Sequence, residues 1–340
     1  MIINFLIIIQ VIMKDIVVYG LGGLGRKIAK ELKVREAAYH FHIIAFMDKQ
    51  DLDDQYEFNV LQPKELHNLR YDYILITSEK WFEDISKELQ REYGISEEKI
   101  IHLKQLIGDE GYYCNLCNLK IPFMLDSGIE SPVFSKRKII GGGVRQKCIC
   151  PICGGNDRER WLEYVLNNQM SFFNKKGTVL HFAPEKQIEK KIRSNKKMIY
   201  ITADIEAGRA DRVEDITHIS FPDKYFDYII CNHVLEHIKD EKAAFMELKR
   251  CIKTDGKVVF SVPICWEIDT YENDSVKTDE DRLIEYGQKD HVRLYGRDLK
   301  SRLEEFGFHA EYYQVQKVLS KEELEIMRLI PEDTIWILSL

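Results

Sequence analysis

The sequence lacks the features that would assign it to a membrane, to nucleic acid or to a repeat architecture. The apolar run at residues 2–9 is too short to span a bilayer, and it has neither the preceding basic residues nor the cleavage site of a signal peptide. The formal net charge of −7 gives no general attraction for phosphate backbones, so a nucleic-acid substrate would need a local basic patch. No internal repeat and no low-complexity tract is present.

What is present predicts a globular protein with more than one domain. Its 340 residues exceed the roughly 250–300 that one core usually reaches, and 45% apolar with 31% charged residues is ordinary for a globular chain. An apolar strand begins at Lys14, directly after the apolar N-terminal segment, and we therefore hypothesise that Met13 is the true start.

Residues 14–105 show strands alternating with helices, which predicts a small parallel sheet. Between the first strand and the first helix, Gly20, Gly22 and Gly25 form a G-x-G-x-x-G motif, and Asp48 ends the next strand. In that context the motif indicates a nucleotide-binding turn, with NAD as one candidate ligand.

The segments AFMDKQ, NVLQPKEL and YDYILITSEKWFEDISKELQ resemble the small Rossmann-type domain at the front of bacterial sugar acyltransferases and nucleotide-sugar enzymes. The resemblance implies a binding or docking module, with NAD or a nucleotide sugar as ligand. The domain is small for a dehydrogenase, and no matching catalytic domain follows, so an NAD-dependent oxidoreductase ranks last among the functions considered.

Residues 106–156 contain five of the eight cysteines and no regular periodicity. Two CxxC pairs, Cys114/Cys117 and Cys150/Cys153, have the spacing with which two thiolates reach one zinc ion, and Cys148 is an alternative to Cys150. Four protein ligands leave no open position, so the predicted zinc is structural. Because paired cysteines without an export signal favour metal over disulfides, we expect a reducing, cytoplasmic location.

From residue 157 to 340 an amphipathic helix (157–167) is followed by a second series of strands and helices. The predicted fold class is therefore α/β, with two Rossmann-like doubly wound domains at 14–105 and 157–340. They are joined by a small zinc-knuckle module at 106–156. Asp204 ends the second strand of the later domain, where an acid can accept both hydroxyls of a ribose.

The order of segments in this half, above all FPDKYFDYIICNHVLEHI and LKRCIKTDGKVVFSVP, resembles the class I S-adenosylmethionine-dependent methyltransferases. The CPxCG knuckle, LHFAPE and GQKDHVRLYG resemble one bacterial branch of that family. The resemblance implies S-adenosylmethionine as cofactor. Its site residues are His181, Ala183 and Glu185 in the first loop, Asp204 on the ribose, Asp215 and Ile216 at the adenine, and Asn232 and His233 at the methionine end. The family's first loop normally contains glycines, whereas this one has none.

Transfer of a methyl group to a hydroxyl also requires a base, for which His291 is the candidate. Asp290 could orient it and Arg293 could hold an anionic part of the substrate. A structural role for His291 is the alternative. His233 and His237 are expected to belong to a cofactor-side helix cap rather than to a metal pair.

The sequence leaves three functions open. The first is a methyltransferase for a sugar or glycan precursor, which rests on the N-terminal resemblance. The second is a methyltransferase for RNA or protein, favoured by basic residues beside the cysteines and by the basic run 186–197. The third is a non-catalytic nucleotide-binding scaffold protein, favoured by the glycine-free loop.

Overall fold

A computed structural model describes residues 13–49, 60–106 and 111–340. The chain divides into two compact units. Of the described residues, the first comprises 13–49, 60–106 and 111 with the short segments Lys120–Leu125 and Cys150–Gly154, and the second contains the remainder. The apolar run at residues 2–9, on which the proposed start at Met13 depends, lies outside the described residues, and so does part of the NVLQPKEL segment. Among the described residues, no helix combines the length and the apolar character needed to cross a membrane.

The first unit is built on a five-stranded sheet in which every pairing is parallel. Its strands are β1 (Lys14–Tyr19), β2 (Phe41–Met47), β3 (Val60–Leu61), β4 (Tyr73–Ile76) and β5 (Ile100–His102), in the spatial order β3-β2-β1-β4-β5. Its helices are α1 (Gly23–Lys33), α2 (Phe82–Tyr93) and α3 (Leu103–Leu106), and 3-10 turns lie at Pro63–Asn68 and Glu97–Lys99. This is the strand order of a Rossmann-type unit, with the order reversing between β1 and β4.

The burial of β1 explains why this strand is visible in the sequence. Ile16, Val17 and Val18 are fully buried because β1 is the central strand of a parallel sheet and is covered on both faces. Helix α1 packs one face inward through Ile28, Ala29 and Leu32.

Short elements follow the first sheet. They are β6 (Tyr112–Cys114), β7 (Leu119–Ile121), β8 (Leu125–Ser127), α4 (Pro132–Lys136) and β9 (Arg145–Ile149). β6 pairs with β7 and β8 with β9, each as a two-stranded sheet. Strands of three to five residues are too short to show a periodic pattern, which accounts for its absence in the sequence.

The second unit contains a seven-stranded sheet in the order β12-β11-β10-β13-β14-β18-β17. The strands are β10 (Gly177–Phe182), β11 (Met198–Asp204), β12 (Arg212–Val213), β13 (Phe226–Ile230), β14 (Ile252–Phe260), β17 (His309–Gln314) and β18 (Thr334–Ser339). Strands β10 to β14 run parallel, whereas β18 is antiparallel to both of its neighbours. A separate parallel pair joins β15 (Ile264–Cys265) to β16 (Tyr295–Gly296).

Helices separate these strands and complete the mixed α/β architecture. They are α5 (Asp157–Tyr164), α6 (Lys186–Ser194), α7 (Glu241–Cys251), α8 (Asp279–Tyr286), α9 (Leu299–Glu305), α10 (Val315–Val318) and α11 (Lys321–Met327). α5 continues into a π-helical turn at Val165–Gln169. Because β10 to β14 are parallel and the strand order reverses between β10 and β13, their carboxyl ends form one edge with a crevice at the reversal, where α/β sheets bind ligands.

Candidate functional site

The glycine motif of the first unit forms a tight turn after β1. Gly20 has φ +96°, and a Cβ on Gly25 would lie 1.9 Å from the carbonyl oxygen of Gly20. A Cβ on Gly22 would meet nothing within 4 Å. Oδ2 of Asp48 accepts a hydrogen bond from the backbone N–H of Leu21 at 2.6 Å. Gly20 and Gly25 are therefore explained by backbone conformation and close packing, whereas Gly22 faces open space at the start of α1.

The four paired cysteines form a cluster with the dimensions of a zinc site. One sulfur from each of Cys114, Cys117, Cys150 and Cys153 lies within 4.8 Å of the others. Zn–S bonds of about 2.3 Å in a tetrahedron place the sulfurs about 3.8 Å apart, so the donor set and its spacing fit the ion. The backbone N–H of Cys153 also donates to Sγ of Cys150 at 3.5 Å. Cys148 is buried outside the cluster, so the structure favours Cys150 in the set.

The first loop of the second unit follows β10 and holds a buried histidine. Nδ1 of His181 lies 2.8 Å from the hydroxyl of Tyr200, and its Nε2 lies 2.8 Å from Oε2 of Glu185. Ala183 has φ +45°, in the left-handed region that glycine favours, and its N–H donates to the carbonyl of Ala203 at 2.8 Å. The loop therefore follows a backbone course that suits glycine, although the sequence has alanine there.

The two predicted acids lie after β11. Asp204 ends that strand, and its Oδ1 accepts a hydrogen bond from the N–H of Glu206 at 2.9 Å. Asp215 is exposed, and its Oδ1 accepts from the N–H and hydroxyl of Thr217, which forms an Asx-type turn. Ile216 is 3% exposed and packs in the hydrophobic core cluster of the unit.

The turn after β13 contains Asn232 and His233. Oδ1 of Asn232 accepts a hydrogen bond from the hydroxyl of Ser261 at 3.2 Å, whereas its Nδ2 is buried without a hydrogen-bond partner among the described residues. His233 has φ +52°, and its ring contacts Nη1 of Arg158 and Oε1 of Glu236, each at 3.2 Å. Burial, and next the nearby Arg158 guanidinium, lower the pKa of His233 well below its usual range.

His291 is buried, and its neighbours differ from those expected from the sequence. The carboxylate of Asp290 lies 3.2 Å from Nδ1 of His237, and we find no direct contact between Asp290 and the ring of His291 among the described side chains. The rings of His237 and His291 meet edge to face with centroids 4.7 Å apart. Burial, and next the proximity of His237, lower the pKa of His291 to about 4. The imidazole is therefore neutral at pH 7.

Arg293 has a structural position, contrary to the expectation that it holds substrate. It is 2% exposed, and its Nη1 donates to the carbonyls of Leu235 and Ile238 while Nη2 donates to that of Lys239. It also pairs with the carboxylate of Glu272. The guanidinium therefore holds the turn after β13 in place, because its donors bond to three backbone carbonyls of that turn.

Three charged residues that the sequence did not single out lie in this part of the unit. Nη1 of Arg158 donates to the carbonyl of Gly141 at 3.0 Å, in addition to its contact with His233. Burial, followed by repulsion from Glu185, raises the pKa of Glu159 to about 7, and burial raises the pKa of Glu236 to about 8. The signal for Glu159 was ambiguous because it is also the third residue of α5, where its N–H donates to Oδ1 of the N-cap Asn156 and its Oε1 accepts from Nδ2 of the same residue.

Comparison with known families supports a methyltransferase domain in the C-terminal half. Residues 157–313 match the family model described as a methyltransferase domain, and residues 12–101 match the model described as C2185-like, N-terminal. No curated protein gives a significant match to the chain. The family match also supports S-adenosylmethionine as the methyl donor.

Several solved structures are similar to part of the chain. The O-methyltransferase of a polyketide synthase from Brevibacillus brevis, in complex with S-adenosyl-L-homocysteine, is 14% identical, with 54% of this chain and 73% of that chain covered and a TM-score of 0.39. A SAM-dependent methyltransferase from Archaeoglobus fulgidus is 16% identical, with coverages of 54% and 94% and a TM-score of 0.36.

Proposed function

We propose that the C-terminal unit is an S-adenosylmethionine-dependent methyltransferase that acts on a hydroxyl of a sugar or glycan precursor. The observation that carries the proposal is the placement of Asp204 at the carboxyl end of β11, beside the reversal in strand order, within the segment that matches a methyltransferase domain. An acid at that edge accepts hydrogen bonds from both hydroxyls of a ribose.

The adenosine half of the cofactor would be held by the two loops after β11 and β12. Asp204 would accept from the ribose, Asp215 from the adenine amino group, and Ile216 would contact the ring. The role of Asp215 at the adenine is supported by its exposure next to the buried Ile216. A carboxylate and an apolar side chain are therefore adjacent at this position.

The methionine half would lie against the loops after β10 and β13. The buried Nδ2 of Asn232 has no hydrogen-bond partner among the residues described, and a methionine carboxylate is the acceptor that would satisfy it. His181, Ala183, Glu185 and His233 complete this end. The left-handed backbone at Ala183 supports a close approach of the loop to the cofactor, as glycine provides in related sites.

Bound S-adenosylmethionine supplies an electrophilic methyl group on a sulfonium. The residues of this chain would orient the acceptor in line with that group and exclude water. His291 and Asp290 are proposed at the acceptor end. His291 is neutral, so its ring nitrogen keeps a lone pair there, although a pKa of about 4 makes it a weaker base than proton abstraction near pH 7 favours.

The first unit is proposed to bind a nucleotide-type ligand, NAD or a nucleotide sugar, at Gly20, Gly22 and Gly25. The open space at Gly22, at the amino end of α1, supports this assignment because a phosphate group is favoured there. The N–H of Leu21 already donates to Asp48, so Asp48 is proposed to shape the turn in addition to any contact with a ribose.

Calorimetric titration with S-adenosylhomocysteine tests the methyltransferase proposal. We expect saturable binding by the wild type and a loss of at least about tenfold in affinity in Asp204→Asn, since hydrogen bonds to a charged group contribute about 1.5–3 kcal/mol each. Asp255→Asn is the matched control, because Asp255 is exposed as the fourth residue of β14. Absence of binding by the folded wild type would contradict the proposal and favour a non-catalytic scaffold.

A further inference from the structure

Three potential metal ligands converge beside the turn that follows β13. Glu236, His237 and His291 each contribute one ligand atom, and these atoms lie within 4.8 Å of one another. The first two lie on the 3-10 turn Leu235–His237, whereas His291 belongs to the loop between α8 and β16. The cluster is separate from the four cysteines and contains no sulfur ligand.

Two atoms of this cluster are buried polar groups without partners. Oε2 of Glu236 and Nε2 of His291 have no hydrogen-bond partner in the described part of the chain, and their residues are 2% and 3% exposed. A buried polar atom without a partner destabilises a fold, so two such atoms in one place need an explanation. A cation between them would satisfy both.

The outer contact of His237 is of the kind that metal ligands make. Its Nδ1 lies 3.2 Å from the carboxylate of Asp290. A proton on Nδ1 that faces this carboxylate would leave the lone pair on Nε2, and metal-binding histidines are commonly oriented in this way.

The two segments that carry the ligands are fixed to each other by one backbone and one side-chain hydrogen bond. The N–H of Val292 donates to the carbonyl of Glu236 at 2.9 Å, and Nη1 of Arg293 donates to the carbonyl of Leu235 at 2.8 Å. The two donors lie one and two positions after His291, and both acceptors lie on the turn that carries Glu236 and His237. Such support pre-organises a binding site instead of requiring the ion to assemble it.

We propose that Glu236, His237 and His291 bind a divalent transition-metal ion through one carboxylate oxygen and two imidazole nitrogens. Two histidines and one carboxylate are a ligand set found for catalytic zinc and for non-haem iron, and imidazole also suits cobalt and nickel. Arg158 and Arg293 lie near Glu236, but their donors bond to backbone carbonyls, to His233 and to Glu272. They therefore leave Oε2 of Glu236 for the ion.

Three protein ligands leave coordination positions open, unlike the four cysteines. Resting on the proposed function, we assign these positions to an oxygen of the methyl acceptor, since Asn232 and His233 on the same turn are proposed at the methyl end of the cofactor. Acceptors with a hydroxyl that can bind a metal would then be preferred.

The experiment is metal reconstitution of the full chain with Co²⁺, followed by elemental analysis and absorption spectroscopy. Thiolate ligands give Co²⁺ an intense charge-transfer band that imidazole and carboxylate ligands do not, so the two sites are distinguishable in one protein. We expect two ions per chain in the wild type, one of them without the charge-transfer band. His237→Ala and Glu236→Gln should each lose that ion and retain the thiolate-bound one.

His309→Ala is the matched control, because His309 is an exposed histidine of the same unit, and it should retain both ions. Retention of the thiolate-bound ion and an unchanged far-ultraviolet circular dichroism spectrum show that each variant is folded. One ion per chain with only thiolate spectra, or a second ion that persists in both variants, would overturn the proposal. Because metal content is measured without the methyl donor, this outcome is independent of whether the protein binds S-adenosylhomocysteine.

Discussion

Glu159 is a half-buried residue whose ionisation the fold opposes. Its pKa is raised to about 7, first by burial and then by Glu185, while Arg158 and Arg160 act in the opposite direction. Oε1 accepts a hydrogen bond from Nδ2 of Asn156 at 3.1 Å, and Oε2 has no hydrogen-bond partner within the described ranges. Replacement by glutamine in Glu159→Gln keeps the shape and removes the titration.

The magnitude follows from the difference in pKa between the folded and unfolded chains. With a folded value of about 7 and an ordinary value of 4.5, the folded chain binds more protons in this window, so stability falls as pH rises from 4.5 to 7 and is level above it. Each pKa unit corresponds to about 1.4 kcal/mol. The free energy of unfolding of Glu159→Gln, relative to wild type, should therefore increase by about 2.5 kcal/mol between pH 5 and pH 8.

Denaturant unfolding of both proteins at several pH values measures this difference. The effect of pH on metal binding by thiolates is common to both proteins and cancels in the comparison. Glu305→Gln is the control, since Glu305 is exposed at the end of α9, and its difference from wild type should not change with pH. Parallel pH profiles for wild type and Glu159→Gln would refute the assignment of a raised pKa to this carboxyl.

Three further predictions concern the fold around the sites. Gly25→Ala should destabilise the first unit by about 1–3 kcal/mol, because its Cβ would lie 1.9 Å from the carbonyl oxygen of Gly20. Gly22→Ala is the control, since a Cβ there would meet nothing within 4 Å. Thermal melting of the two variants measures the difference. Arg160→Lys should lower the free energy of unfolding by about 3 kcal/mol. The buried guanidinium donates to four backbone carbonyls, and one ammonium group cannot reach all of them. An unchanged denaturation midpoint would contradict this. Removal of zinc by a chelator should lower the melting temperature, and added zinc should restore it. A melting temperature that the chelator does not change would contradict a zinc site at the cysteines.

The parallel strands were predictable because they are buried on both faces. The apolar strand expected to begin at Lys14 is the observed β1, which begins at that residue. The two-residue strands β3 and β12, and the β15–β16 pair, were missed. Segments of that length carry no periodic signal, and their pairing is decided by the neighbouring chain.

The positions of candidate site residues could be predicted from the sequence where those residues lie at the end of a strand. Asp204 ends β11, as the sequence indicated, and Asn232 is the second residue after β13. The pairing of Asp290 was not predictable, because adjacent residues of a loop need not face each other, and its partner His237 lies 53 positions away in the chain. The roles of Glu236 and Arg293 depend on the same long-range contact between the turn after β13 and the loop before β16.

Ala183 shows how composition can conceal a backbone conformation. The absence of glycine from the first loop argued against a close approach of the cofactor, yet φ at this position is +45°. The left-handed conformation costs a non-glycine residue about 1–2 kcal/mol, and the neighbouring hydrogen bond to Ala203 helps to hold it. Side-chain identity alone therefore did not report the course of the chain here.

Hydrogen exchange with and without S-adenosylhomocysteine tests most directly whether the cofactor occupies the C-terminal sheet. The account predicts slower exchange in three segments at the carboxyl ends of β10, β11 and β13, namely residues 181–186, 203–207 and 231–238. Exchange in residues 20–26, the glycine turn of the first unit, should not change. Protection confined to that glycine turn, or no protection in any of these segments at saturating ligand, would contradict the central claim.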